Sequence, residues 1–113
     1  MAAIFEHVRE AGGFVHVSGQ TPLTADGEVP VDCGEQAAVV IEKIAALLAG
    51  VGLGLADVVK VTYFLTDLDD LGRVREALDA VLPHPRPAAS LVEVSGLVDP
   101  RFRVEIEAVA HRP

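Results

Sequence analysis

Only two stretches of this 113-residue chain space their apolar residues as a helix does, and both are set among runs that alternate like strands. Ala37, Val40, Ile41, Ile44, Leu47 and Leu48 recur at intervals of three and four, which predicts an amphipathic helix from Gly34 that Gly50 or Gly52 stops. In LDDLGRVREALDAVL, Leu71, Val74, Leu78 and Val81 form the buried stripe of a second helix, with Asp69 and Asp70 at its positive N-terminal end. Pro83, Pro85 and Pro87 close it. Two helices can cover one face of a sheet, so the other face must meet something else.

The remaining runs have period two. AIFEHVREAGGFVHVSG reads as a hairpin turning at Gly12-Gly13, and QTPLTADGEVPVD as a loop punctuated by Pro22, Asp26-Gly27 and Pro30. ADVVKVTYFLTD is nearly continuously apolar and rich in Val, Thr, Tyr and Phe, which suits a central strand. AASLVEVSG and RFRVEIEAVAHR are expected to form a final strand pair around LVDP. The order is therefore ββαβαββ, one α+β domain over residues 1–113. Val92 and Val94, with Val104, Ile106 and Ala108, are expected to face the helices. Ala89, Leu91 and Glu93 would then share the uncovered face with Glu105 and Glu107. That face is mixed rather than cleanly polar, which points to association between copies.

Composition removes several classes of function. A net charge of −8, with nine basic residues scattered in no run, argues against nucleic acid. The single cysteine, Cys33, forms no internal disulfide, lies near no histidine in sequence, and is expected to be structural. The N-terminal MAAIFEHVREAGG lacks an apolar signal region, and IAALLAGVGLGLA is too short and too Gly-broken to span a bilayer. A cytoplasmic protein with no membrane partner is expected. Four histidines without paired spacing give no metal site, and no phosphate loop, dinucleotide fingerprint or Ser-His-Asp set is present.

Four segments together, HVSGQTPL, DGEV, ADVVKVTYFLTDLDD and PAASLVEVSGL…VEIEAVA, resemble the RidA/YjgF family across nearly the whole chain. The resemblance implies a chorismate-mutase-like fold, a homotrimer, and a small-molecule ligand held in clefts between subunits. It also implies hydrolysis of reactive enamines and imines to keto acids and ammonia, with no cofactor and no metal. Where the family's deaminases carry an arginine that clamps the substrate carboxylate, this chain has Ala89. A common cysteine falls at Leu91, a tyrosine at Phe5 and an asparagine at Arg75. Ser18, Gly19 and the carboxylate Glu105 are retained.

A guanidinium fork on a carboxylate is charge-assisted and bidentate, and alanine cannot imitate it. Losing it costs about 10- to several hundred-fold in affinity. The chain therefore looks like an arginine-lacking member, and ordinary 2-iminoacid deaminase activity is not expected. Arg86 is not expected to stand in, because an offset of three residues reverses its face if the strand already runs there.

The resemblance makes Glu105 the catalytic candidate, positioning or activating water. The other reading is an interfacial carboxylate bonded to a neighbour's backbone. Phe5, Ser18, Gly19, Arg75, Ala89 and Leu91 are the binding candidates. Arg75 is either a replacement cation or, with Arg73 and Glu76, part of a solvated helix face. His16 shares a face with Ser18. The three replacements at 89, 91 and 5 all remove polarity, so a small, relatively apolar ligand is expected. Two classes of function follow: an enzyme of altered specificity acting on an enamine or imine, or a non-catalytic module that binds or stabilises a small metabolite.

Overall fold

The computed structural model describes residues 3–113; Met1 and Ala2, the first two positions of the expected 1–113 domain, lie outside the described residues. Strand β1 (Val8–Ala11) and β2 (Phe14–Gln20) form the expected hairpin. Its two-residue turn needs positive φ at both positions, and Gly12 (+59°) and Gly13 (+83°) supply it. Helix α1 (Cys33–Ala49) starts at Asp32, whose carboxylate accepts the Glu35 amide at 3.0 Å. A 3₁₀ turn (Leu55–Asp57) leads into β3 (Val58–Leu65), and a second (Leu68–Asp70) into α2 (Leu71–Asp79). Strands β4 (Ala88–Glu93) and β5 (Val104–His111) complete the expected order.

The five strands make one mixed sheet in the order β1-β2-β5-β3-β4. Both helices lie on one face. Ala37, Val40, Ile41, Ile44 and Leu48 of α1, with Val74 and Leu78 of α2, pack on Val15, Val17, Val61, Leu65, Val104, Ile106 and Ala108. Each buried Val, Leu or Ile among them contributes about 1.5–3 kcal/mol over an exposed one. Val81, expected in this stripe, is exposed; α2 ends at Asp79, and the turn beyond it buries Leu82 instead.

Two further expectations are corrected. The last two strands are not a pair, because β3 lies between them. β3, α2 and β4 form a crossover unit that returns β4 parallel to β3 on its free edge, while β5 enters the middle of the sheet. The faces of β4 are also the reverse of those expected. Ala89 is in register with Val61, Leu91 with Tyr63 and Glu93 with Leu65, and Val61 and Leu65 are buried under the helices. Ala89, Leu91 and Glu93 therefore lie on the helix side, while Ala88, Ser90 and Val92 share the open face with Glu105 and Glu107. The physical reason is the edge position. Leu91 (39% exposed) and Val92 (41%) are equally exposed, so no burial pattern marks either face.

Candidate functional site

The candidate residues fall into two groups on opposite faces of the sheet. The first surrounds an irregularity in β2. Val17 pairs with Ala108 but Gln20 with Ile106, so β2 holds one extra residue, a bulge at Ser18-Gly19. Glu105, on the open face of β5, lays its carboxylate against this bulge. A Cβ built on Gly19 would lie 3.0 Å from Glu105 Cδ and 3.3 Å from Cγ, and would overlap Oε2. Glycine at 19 is thus what makes room for the carboxylate. Burial, and secondarily the charge of Glu107, raise the Glu105 pKa above its ordinary value.

The N-terminal segment is tied to the same bulge. Ser18 Oγ donates to Glu6 O (2.6 Å), the Ser18 amide donates to His7 O (2.9 Å), and Gln20 Nε2 lies 3.2 Å from His7 Nδ1. Phe5 precedes β1 rather than lying in it, half exposed and edge-on to His7 with centroids 5.4 Å apart. His16 is exposed on the open face, in register with Val109.

The second group lines a groove of about 660 Å³ between α2 and the edge strand β4. Val74, Leu78 and Leu82 supply its apolar floor; Arg75, Ala89 and Leu91 stand around it, together with Tyr63 and Arg86. Arg86 donates through Nη2 to Asp79 Oδ1 (2.7 Å) and through Nε to His84 Nε2 (3.2 Å). Burial pushes the Tyr63 hydroxyl up, opposed by the charge of Arg86.

The structure thus unites Arg75, Ala89 and Leu91, and separately Ser18, Gly19 and Glu105, with Phe5 beside the second set. One chain does not bring the two sets together. Sequence alone does not single out Tyr63, and it gives no reason to expect Arg86 at this wall. Strand β4 begins only at Ala88, so Arg86 lies in a loop where period-two reasoning does not apply. Tyr63 becomes legible once β3-α2-β4 is recognised as a crossover, since its face of β3 then continues into Leu91.

Cys33 is buried, and burial, followed by the charge of Asp70, pushes its thiol up to about 12; that is no nucleophile. Among the described residues, no three His, Cys, Asp or Glu side chains gather as metal ligands, and no helix is long and apolar enough to cross a membrane.

Comparison with known proteins gives consistent matches. The profile of the family described as endoribonuclease L-PSP matches residues 1–112. A RutC family protein of Pyrococcus abyssi is 40% identical over 105 residues, covering 91% of this chain and 82% of that protein. A 2-iminobutanoate/2-iminopropanoate deaminase of Escherichia coli K12 is 36% identical over 117 residues, covering 98% and 91% respectively. Among solved structures, E. coli TdcF with bound serine superposes with a TM-score of 0.89 at 31% identity, covering all of this chain and 91% of that one.

Proposed function

We propose that this chain, which belongs to the RidA/YjgF (endoribonuclease L-PSP) family, is a small-molecule enzyme that hydrolyses a reactive enamine or imine. The deaminase relative supports the reaction class. The observation that carries the reading is the seat of Glu105: a half-buried carboxylate of raised pKa, lodged on a glycine bulge at the open face. A carboxylate whose pKa is raised by burial suits general acid–base work. It takes a proton from water as the water oxygen bonds the imine carbon and the C=N pair moves to nitrogen. The proton is then handed to nitrogen. The proton of the new hydroxyl then passes by way of the same carboxylate to the amino nitrogen as the C–N bond breaks, releasing ammonia and a carbonyl compound.

The assembly follows from the same proposal. The groove at Ala89 and the Glu105 seat lie on opposite faces of one sheet, so a cleft containing both requires a second copy. A homotrimer, with the groove of one subunit meeting the open face of the next, supplies three such clefts. RNA is a poor fit as substrate, with 17 acidic residues against nine basic ones.

The test is Glu105→Gln in a coupled assay in which an amino-acid oxidase generates the imine. Turnover should fall by about 10²–10⁴, the usual contribution of general acid–base catalysis, while ligand binding persists. Unchanged turnover would overturn the enzymatic role of Glu105. An absence of turnover in the parent chain, with ligand binding retained, would favour the non-catalytic binding module.

A further inference from the structure

We propose that Arg86 is the specificity-determining residue of this groove, and that it receives an anionic group of the ligand, a carboxylate, at the place where Ala89 leaves the wall bare. The inference rests on the groove being the ligand site, as argued above. It begins with the way Arg86 is held. Two of its five guanidinium N–H groups are engaged, by Asp79 and by His84. The other three, both hydrogens of Nη1 among them, have no hydrogen-bond partner among the described residues. A guanidinium with one free edge is prepared for bidentate contact with a planar anion.

The existing partner is weak. Asp79 is 79% exposed at its side chain, and an ion pair so open to water contributes little. A ligand carboxylate arriving over the apolar floor of Val74, Leu78 and Leu82 meets less water than Asp79 does, so it pairs more strongly with the free edge, opposed only by the nearby charge of Asp79.

Two neighbours reinforce the choice of ligand. Tyr63 lines the same groove close enough to feel the charge of Arg86, and a neutral phenol can donate a further hydrogen bond. Arg75 adds a second cation at the wall, set against the acidic Glu76 and Asp79. The groove therefore combines an apolar floor with two cations, of which Arg86 is the one held in place, by Asp79 and His84. That is chemistry for a small apolar body carrying one carboxylate, such as a 2-oxo or 2-imino acid. The small, relatively apolar ligand expected from Ala89, Leu91 and Phe5 thereby gains one charged end.

The probes are 2-oxobutanoate and butanone, which share a ketone but differ in the carboxylate, titrated into the full chain and followed by protein chemical shifts. The parent chain should prefer 2-oxobutanoate by at least about 10-fold, with shifts centred on Tyr63 and Leu91. Arg86→Gln should remove that preference, and Arg86→Lys should keep part of it, since an ammonium carries charge without the fork. Asp79→Asn should tighten 2-oxobutanoate by releasing Arg86 from its competitor, a direction opposite to that of a merely structural ion pair. If Arg86→Gln fails to fold, Arg86→Lys and Asp79→Asn carry the test. Equal affinity of folded Arg86→Gln and parent, weaker binding by Asp79→Asn, or no preference in the parent would overturn the proposal. These are binding measurements, so their failure is distinct from that of the hydrolytic reading, which turns on the turnover of Glu105→Gln.

Discussion

Burial and the neighbouring Glu107 both disfavour the charged form of Glu105, so ionising this carboxylate at neutral pH opposes folding. Its folded pKa lies above its ordinary value of 4.5, so the favourable contribution is complete below that value and is lost as pH rises through the folded pKa. Glu105→Gln, neutral at every pH, should therefore unfold at a higher temperature than the parent at pH 7. The advantage should shrink as the sample is acidified toward pH 4. Thermal unfolding followed by circular dichroism at the two pH values checks this. A less stable variant at pH 7 would point to a donor on a neighbouring copy that holds the charged form. At this scale the sequence was informative where a residue's role is local. The resemblance singled out Ser18, Gly19 and Glu105, and the structure brings these three together and gives a steric reason for the glycine. The place of Arg86 at the groove was not legible, because a loop side chain takes its direction from packing rather than from a repeat.

Among the elements, the connection from 94 to 103 is held to the helices by one buried side chain. Gln36, on the first turn of α1, donates to the carbonyls of Pro30 (2.8 Å) and Arg101 (2.9 Å) and accepts the Arg103 amide (2.8 Å). Arg103 in turn pairs with Asp70, just before α2, and donates to Val31 O at 3.0 Å. This network sets the point at which the chain leaves the edge and enters the sheet centre as β5. Gln36→Leu keeps the volume but orphans three backbone groups, at roughly 1–3 kcal/mol for each that stays dry. The urea midpoint should fall accordingly; a shift worth less than about 1 kcal/mol would mean that water replaces the amide. The hairpin and both helices were readable because their signals are local: a Gly-Gly turn and apolar residues at three and four. β5 was readable because burial alternates strictly along it. β4 was not, since its pairing is fixed by a crossover and all six of its residues are exposed. An edge strand without a buried face offers no pattern from which to choose.

For the whole molecule, the proposed trimer predicts a mass near three chains of 11.9 kDa by light scattering after size exclusion, independent of loading concentration. A monomer at every concentration would leave the groove and the Glu105 seat permanently apart. The placement of these two half-sites on opposite faces of one sheet has a genetic consequence. A copy damaged at Glu105 still carries a sound groove, and a copy whose groove is blocked, as by Ala89→Trp, still carries a sound Glu105. Co-expressed in equal amounts, two alleles that are each silent alone should complement one another. In randomly assembled rings about one cleft in four would join the intact half of each, restoring roughly a quarter of the parental rate.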